Sequence, residues 1–401
     1  MNILIITENF YPVKEPTAKI VERFTKDVNF SSDNFFILSK GERKSRVGVS
    51  TNVINYQINA YLKFKKNHFL YNLKTFIYKS LSKLYSKIYP RDLFDSFRFY
   101  KAALPILADN KIDIIVCVSG WFSSQLAGLR LSKKYHIKMF SWYTDPFIKS
   151  VNRLNYSQSL LEKIEKKWFR QTSKIFMPEN YLTEYLRNYP IFKNKFLCLE
   201  LPCFFSNDEL EIINSQIPNN TVLHLGSFFH KLRDPQALFR IAYELNSISD
   251  VKFVSYGSLD KRIKNKYGVN IPSNFSIKER ENGQNLLKAL GKASVLVVVD
   301  NSFGIQIPSK TFEYISTGKP ILLLYDNELS ETVRLLDKYS NTLILKQDGI
   351  DNEVIFNVVT PFILSEKINM SYKDISAVYN KYTNRYIFDR LREYINFGHI
   401  D

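Results

Sequence analysis

Short apolar runs without polar alternation recur along this chain, and segments with helical periodicity separate most of them. The predicted strands are residues 3–6, 35–38, 112–118, 138–143 and 174–177 in the first half and 221–227, 251–257, 294–299 and 320–324 in the second. Runs of this kind are typical of parallel strands that are buried on both faces. Strands that alternate with helices predict a doubly wound sheet, and the pattern restarts near residue 221. The sequence therefore predicts an α/β protein with two such domains.

The segments between the strands predict the rest of the architecture. Helices are predicted over residues 17–28, 125–135, 162–171, 235–245, 283–292 and 376–394, and the polar residues 206–220 predict a linker with the entry to the second half. We therefore expect an N-terminal domain over residues 1–203, a C-terminal domain over 204–375 and a closing helical segment over 376–401. The length of 401 residues with 45% hydrophobic residues suffices for two cores. No run approaches the ~18–20 apolar residues of a membrane span.

The cysteines and the N-terminal residues favour a cytoplasmic protein without a metal. Cys117, Cys198 and Cys203 have no metal-ligand or redox spacing, and Cys117 lies in an apolar run where a small core residue is expected. No Asp-x-Asp pair stands at a strand end, so we expect neither a metal ion nor another cofactor. Residues 1–8 lack the basic segment and the cleavage site of a secretory signal peptide, and they predict a strand.

The excess of positive charge lies entirely in the first half of the chain. Residues 1–203 carry 33 Lys and Arg against 16 Asp and Glu, whereas the remaining residues carry 23 of each group. Residues 43–91 contain 11 basic residues and no acidic one, and Lys79, Lys83 and Lys87 form one side of a predicted helix, called the basic face below. Three interpretations stay open: a solvated lysine face, a peripheral membrane surface for anionic headgroups, or a nucleic-acid surface. No segment resembles a nucleic-acid module, so we expect no nucleic-acid partner.

Residues 307–321 hold the densest functional signal. A short loop leads into a predicted helix that opens at Ser309 and Lys310, and Glu313 lies one turn inside it. The opening of a helix presents free backbone N–H groups and the positive end of the dipole, which suits a phosphate. The Glu313 carboxylate can accept two hydrogen bonds from a ribose diol. The competing interpretation is an ordinary amphipathic helix with a solvated Glu313.

This stretch resembles the donor-binding signature of the GT-B glycosyltransferases, in particular the retaining family 4. The resemblance implies two Rossmann-like doubly wound domains that face a cleft, with the donor held by the C-terminal one. It implies that Ser309 and Lys310 offer backbone N–H groups to the donor phosphates and that Glu313 binds the ribose. The family often has a Glu-x7-Glu motif, and this chain has Ile305 at the first of the two glutamate positions.

The loop that follows the first strand of the second half resembles the first loop of the family's C-terminal domain. Gly226 and Ser227 would lie beside the donor, and a cation further along would neutralise the leaving diphosphate. Arg233 is the preferred candidate, because a guanidinium binds phosphate bidentately and stays charged, and Lys231 is the second. His230 is close enough in sequence to contribute. The alternative is a solvated loop cation.

Three further positions follow from the resemblance. Gly257 and Arg280 match positions that line the family's base pocket, although an exposed charge is the competing description of Arg280. Asp145 stands where many relatives carry a residue that faces the transferred sugar, and it can bind a sugar hydroxyl or help to deprotonate an acceptor. An aspartate before Pro146 is also a common turn former. His224 lies within a predicted strand and is expected to be structural.

The resemblance implies a retaining glycosyltransferase of the hexosyltransferase type. It would move a sugar from a nucleoside-diphosphate sugar to a hydroxyl of a glycan or lipid-linked acceptor, as in surface polysaccharide or glycolipid biosynthesis. Helix ends and cations would then stabilise the leaving diphosphate in place of a metal ion. The basic first half suggests peripheral attachment to the inner face of the cytoplasmic membrane. Two alternatives stay open: a sugar-nucleotide epimerase of the same fold, and a catalytically silent nucleotide-binding subunit, which Ile305 allows.

Overall fold

The computed structural model of the 401-residue chain describes most of its length. The described residues are 1–10, 16–26, 33–41, 53–59, 92–118, 122–144, 147–148, 158–268, 270–281, 283–302, 304, 307–366 and 368–397. Asp145, Ile305 and the basic face lie outside the described residues, so the predictions that concern them stay predictions.

The chain divides into two compact units. Unit 1 comprises Met1–Pro202 together with Asn384–Asp401, and unit 2 comprises Cys203–Thr383. Unit 2 is therefore one continuous segment, whereas unit 1 is completed by residues that follow unit 2 in the chain. Residues 376–383, which were expected with the closing helix, belong to unit 2.

A parallel sheet forms the centre of unit 1, and its order is β3-β2-β1-β4-β5-β6-β7 in the described part of the chain. Its strands are β1 (Asn2–Asn9), β2 (Asn34–Gly41), β3 (Val53–Asn59), β4 (Ile114–Val118), β5 (Lys138–Trp142), β6 (Lys174–Met177) and β7 (Phe196–Cys198). Along β1, Leu4 and Ile6 pack into one core cluster, and Ile3 and Ile5 pack into another. Both faces of the strand are buried, which explains its uninterrupted apolar run.

A second parallel sheet forms the centre of unit 2, with the order β10-β9-β8-β11-β12-β13 among the described residues. Its strands are β8 (Asn219–Leu225), β9 (Lys252–Tyr256), β10 (Phe275–Lys278), β11 (Ala293–Val299), β12 (Ile321–Tyr325) and β13 (Thr342–Lys346). Leu223 packs on one side of this sheet and Val222 on the other, in separate core clusters. The prediction of two doubly wound α/β domains is confirmed.

Helices cover the faces of both sheets. They are α1 (Pro16–Lys26), α2 (Asp92–Asp109), α3 (Phe122–Tyr135), α4 (Gln158–Gln171), α5 (Glu179–Asn188), α6 (Asn207–Asn214), α7 (Gln236–Leu245), α8 (Lys261–Tyr267), α9 (Gln284–Lys292), α10 (Ser309–Thr317), α11 (Glu331–Leu336), α12 (Asn352–Val354, a π-helical stretch Ile355–Val359, and Thr360–Leu364), α13 (Tyr372–Tyr379) and α14 (Asn384–Phe397). Short 3-10 helices occur at Pro190–Lys195, Gln347–Gly349 and Asn380–Tyr382. None of the described helices combines the length and the apolar character that a membrane crossing needs.

The prediction of a single helix over residues 376–394 is wrong. The structure has α13 and α14 there, with a 3-10 turn between them. Tyr379 and Tyr382 are buried in a core of unit 2, whereas Ile387 and Phe388 are buried in a core of unit 1. The helix is interrupted where the chain passes from one core to the other.

For residues 206–220 the sequence predicts a linker together with the entry to the second half. The segment is the entry to unit 2, but the prediction of a linker is wrong, because α6 and the beginning of β8 occupy it. Helix α6 starts with a capping box. The Ser206 hydroxyl accepts a hydrogen bond from the Glu209 backbone N–H at 3.4 Å, and the Glu209 carboxylate accepts one from the Ser206 backbone N–H at 2.9 Å. The Ser-x-x-Glu spacing is the signature of such a start.

Cys117 is a core residue, as the apolar run predicted. Its side chain is fully buried in β4, and burial raises the pKa of its thiol well above the ordinary value. The thiol is therefore neutral and unreactive toward solvent.

Candidate functional site

The strand order of unit 2 changes direction between β8 and β11. From β8 the strands β9 and β10 follow one another toward one edge of the sheet, and from β11 the strands β12 and β13 follow one another toward the opposite edge. The carboxyl ends of the two strands lead into Gly226 and Asp300. In open parallel sheets, ligands bind outside the carboxyl ends of the strands at such a switch point.

Two glycines bring the backbones together at this edge. Gly226 has a φ of 151°, a conformation that side chains rarely allow, and its N–H donates to the Tyr256 carbonyl at 3.0 Å. A Cβ atom on Gly257 would lie 1.9 Å from the Gly226 carbonyl oxygen. Neither position accepts a side chain, so the ends of β8 and β9 present bare backbone.

Arg233 crosses the switch point. A tight turn returns the chain after β8, with the Arg233 N–H donating to the Phe229 carbonyl at 2.8 Å. The Arg233 Nε then donates to the Asn301 Oδ1 at 2.8 Å, beyond the end of β11. Burial lowers the pKa of Arg233, while the nearby Asp300 raises it. A guanidinium keeps its charge under these conditions, so the site holds a half-buried cation.

The carboxylate of Asp300 is fixed on the other side of this cation. It is 2% exposed and accepts hydrogen bonds from the Ser330 hydroxyl at 2.5 Å and the Thr332 hydroxyl at 2.7 Å. Burial raises the pKa of Asp300, and the two hydroxyl donors and the Arg233 charge oppose that rise. Asp300 therefore acts on Arg233 through space from a fixed position.

His224 contributes no charge to this cluster. Its ring is buried, stacks on Phe228 with 4.4 Å between the ring centroids, and places Nδ1 2.9 Å from the Ser255 hydroxyl. Burial lowers its pKa to about 3, and the Arg233 charge acts in the same direction. The prediction that His224 is structural is confirmed by this packing.

Helix α10 is fastened to the same edge of the sheet. The Tyr314 hydroxyl accepts a hydrogen bond from the Leu225 backbone N–H at 2.7 Å, at the last residue of β8. Glu313 is 4% exposed, and its Oε2 accepts from the Lys310 Nζ at 2.5 Å. Pro308 precedes the helix and provides no side-chain cap, and Ser309 is exposed. The first turn of α10 thus presents backbone N–H groups close to Glu313.

Ser227 and Arg280 meet beside the glycines. The Ser227 hydroxyl lies 2.9 Å from the Ser258 hydroxyl and accepts from the Arg280 Nη2 at a long 3.4 Å. Arg280 follows the end of β10 and is itself exposed. The structure therefore brings Arg280 to the rim of the site, beside Gly257.

Lys231 and His230 lie in the turn that carries Arg233. Lys231 has a φ of 63° and an exposed side chain, and its carbonyl accepts from the Ser302 hydroxyl at 2.5 Å. The His230 backbone N–H donates to the Asp260 carboxylate at 2.6 Å. These contacts fix the backbone of the turn, and they leave Arg233 as the cation that reaches β11.

Sequence reasoning missed several contributors to this arrangement, among them Asn301 and Tyr314. The available signal for Asn301 was its place beside Asp300, directly after a buried strand. For Tyr314 there was none, because its bond to β8 depends on how α10 packs. In the described part of the chain, no group of three His, Cys, Asp or Glu side chains is arranged to hold a metal ion.

The geometry suits an anionic ligand with several oxygen atoms. A guanidinium, a helix opening and exposed backbone converge at one sheet edge, and a buried carboxylate lies one turn inside the helix. Donors of this kind stabilise negative charge that develops on a leaving group. A carboxylate such as Glu313 is an acceptor for hydroxyl groups.

Solved structures of other proteins share this fold. No family model matches the sequence, and no curated protein does either. Anabaena Alr3699/HepE in complex with UDP and glucose superposes with a TM-score of 0.61 at 11% identity, covering 98% of this chain and 99% of that one. A glycosyltransferase from Rickettsia africae gives 0.58 at 12% identity, with 100% and 99% covered. The UDP-GlcNAc 2-epimerase of Methanocaldococcus jannaschii gives 0.58 at 13% identity, with 99% and 100% covered.

These similarities show the fold. The chain has the two-domain α/β architecture of the GT-B class. The structural neighbours include one protein named as a glycosyltransferase, one named as a UDP-GlcNAc 2-epimerase and one that was solved with UDP and glucose.

Proposed function

We propose that the protein is a glycosyltransferase that uses a nucleoside-diphosphate sugar, with the donor held by unit 2. The observation that carries the proposal is Arg233, which reaches from the end of β8 to Asn301 after β11 at 2.8 Å and so places a fixed cation at the switch point. The first turn of α10 would take the phosphates through its backbone, and Glu313 would take the ribose. UDP is the first nucleotide to test, since Anabaena HepE and Staphylococcus aureus MnaA were solved with it.

In the proposed reaction an acceptor hydroxyl forms the new bond to the anomeric carbon. The bond from that carbon to the diphosphate oxygen breaks, and the nucleoside diphosphate leaves with the electron pair. Arg233 would neutralise this charge as it develops. Asp145 is our candidate to bind the transferred sugar or to accept the proton of the acceptor hydroxyl. Retention at the anomeric carbon and a hexosyl donor belong to the same proposal, because they follow from the resemblance to family 4.

The acceptor side of the proposal rests on charge. Residues 1–203 carry the whole excess of positive charge, and residues 43–91 contain no acidic residue. We propose a glycan or a lipid-linked acceptor in surface polysaccharide or glycolipid biosynthesis, at the inner face of the cytoplasmic membrane. Anionic headgroups would attract the basic face at such a surface.

Epimerisation of a sugar nucleotide is the second candidate, and the structural neighbours named as UDP-GlcNAc 2-epimerases favour it. The deciding experiment incubates the protein with UDP-glucose and UDP-GlcNAc, with and without cell-envelope lipid extract. Release of UDP only when extract is present supports transfer. A new sugar nucleotide formed without extract supports epimerisation instead, and UDP binding without either product supports a silent subunit.

A further inference from the structure

Unit 1 contains a buried carboxyl group that the proposed chemistry does not use. Glu165 on α4 is 0% exposed, and no cation of the described residues forms an ion pair with it. Three phenols donate hydrogen bonds to it instead. The Tyr143 and Tyr185 hydroxyls reach Oε1 at 3.2 and 3.0 Å, and the Tyr189 hydroxyl reaches Oε2 at 2.6 Å.

Two of these phenols lead to the segment that follows β5. Tyr143 is the first residue after the strand, and its ring stacks on Trp168 with 5.1 Å between centroids. The Phe147 backbone N–H donates to the Tyr185 hydroxyl at 3.1 Å, and that hydroxyl donates onward to Glu165. Tyr143 and Phe147 are thus connected to the same carboxylate.

The strength of the hydrogen bonds that connect Phe147, Tyr185 and Glu165 depends on the charge of the Glu165 carboxyl group. A phenol donates more strongly to a carboxylate than to a neutral carboxyl group, and a polarised hydroxyl is in turn a better acceptor for the next N–H. Protonation of Glu165 would also turn one carboxyl oxygen into a donor, so that the phenol on that oxygen would have to accept a hydrogen bond and direct its own hydrogen elsewhere. The strength of the hydrogen bond from the Phe147 N–H to Tyr185 therefore depends on the charge of Glu165.

Burial raises the pKa of Glu165 to about 7, although the hydrogen bonds from the three phenols oppose the rise. Glu162, one turn earlier on α4, raises it further. Burial raises the pKa of the Tyr189 phenol, the Glu165 charge adds to it, and Glu162 and Glu184 raise it further. Lys166 lies 5.9 Å from the Tyr189 ring. The carboxyl group accordingly changes charge within the neutral range.

We infer that Glu165 is a positioning residue, which holds Tyr143 directly and Phe147 through Tyr185 more tightly while it is ionised than when it is neutral. The segment leaves the carboxyl end of β5, at the edge where parallel sheets bind ligands. In the sequence Asp145 stands between Tyr143 and Phe147, the two residues that Glu165 holds. The inference does not depend on the proposed function, because it concerns the order of the segment itself.

Hydrogen exchange at the Phe147 amide tests this directly. We expect the protection factor of the wild-type protein, corrected for intrinsic exchange, to fall about three- to tenfold between about pH 8.5 and about pH 6. In Glu165→Gln the protection should be low and the same at both pH values. Equal protection of the wild-type amide at both pH values, or pH dependence that persists in Glu165→Gln, would overturn the inference.

A second variant keeps the test decisive if Glu165→Gln does not fold. Tyr185→Phe keeps the Glu165 charge but removes the acceptor for the Phe147 N–H, so that amide should lose protection at both pH values. Glu162→Gln is the matched control: it removes a carboxylate from the exposed side of α4 and should keep the pH dependence, shifted to a lower pH because Glu162 raises the pKa of Glu165. Protection of the Phe147 amide that survives in Tyr185→Phe would refute the connection between the segment and Glu165.

Discussion

Replacing Glu313 by glutamine tests whether this carboxylate holds the donor. Glu313 is 4% exposed, so a ligand bond to it is shielded from water. Glutamine keeps the size of the side chain and one acceptor oxygen, but it removes the charge that strengthens a bond from a ribose hydroxyl. A hydrogen bond to a charged group contributes about 1.5–3 kcal/mol. Because about 1.4 kcal/mol is a factor of ten, the Kd for UDP should rise about 10- to 150-fold in Glu313→Gln, as isothermal titration calorimetry would measure.

The matched control is Glu331→Gln at the start of α11. Glu331 also forms an ion pair three residues along its helix, with the Arg334 Nη1 at 2.7 Å, but it lies away from α10 in sequence. Its loss should leave the Kd for UDP within about twofold, because an exposed ion pair contributes little. Unchanged UDP affinity in a folded Glu313→Gln protein would refute the assignment, and equal weakening in Glu331→Gln would show that the effect is not local.

Four further perturbations follow from the structure. Arg233→Lys keeps a charge but loses the fork that reaches Asn301, so kcat should fall about tenfold or more with a smaller change in the donor KM, in steady-state kinetics. Glutamine in place of the three lysines of the basic face should weaken flotation with anionic vesicles, by on the order of 1 kcal/mol per lysine, and leave UDP binding intact. Tyr314→Phe leaves the buried Leu225 N–H without its acceptor and should lower the free energy of unfolding by about 1–3 kcal/mol in a urea titration. Burial raises the pKa of Glu165 in the folded protein above its unfolded value, so the folded state is favoured while this carboxyl group is protonated. This contribution to the free energy of unfolding is complete below the unfolded pKa of about 4.3 and is lost as the pH rises through about 7. Urea titrations across that window should show a loss on the order of 3 kcal/mol in the wild type that Glu165→Gln does not share.

Among the described residues, the sequence predicts the interior strands of both sheets but not the strands at their edges, which are β3, β7, β10 and β13. An interior strand has neighbours on both sides and helices on both faces, so its run is apolar without a break. An edge strand is only partly covered: every residue of β13 is half-buried, and the run there mixes Thr and Lys with leucine and isoleucine. The sequence does not predict α2 for a different reason. Pro105 lies in the interior of this helix, and a proline there normally indicates that a helix ends or kinks.

The parts of the site that are local in sequence were predictable. Gly226 and Gly257 each directly follow a buried strand, and Pro308 directly precedes α10. The connections between these parts were not predictable, because they depend on strand order. Arg233 is 68 residues from Asn301, and Asp300 is 32 residues from Thr332, so only the adjacency of β8 and β11 brings the first pair together.

The interrupted course of unit 1 has a consequence for how the protein is made. Ile387, Phe388, Leu391 and Ile395 of α14 are at most 2% exposed in a core whose other buried residues precede position 202. Burial of each such side chain contributes about 1.5–3 kcal/mol, a substantial part of the net stability of a domain. On the ribosome, residues 1–202 emerge first, but one apolar face of unit 1 stays uncovered until α14 has been synthesised. Unit 2 is a continuous segment and can complete its core before that. The half of the chain that is synthesised first is therefore the half that finishes folding last.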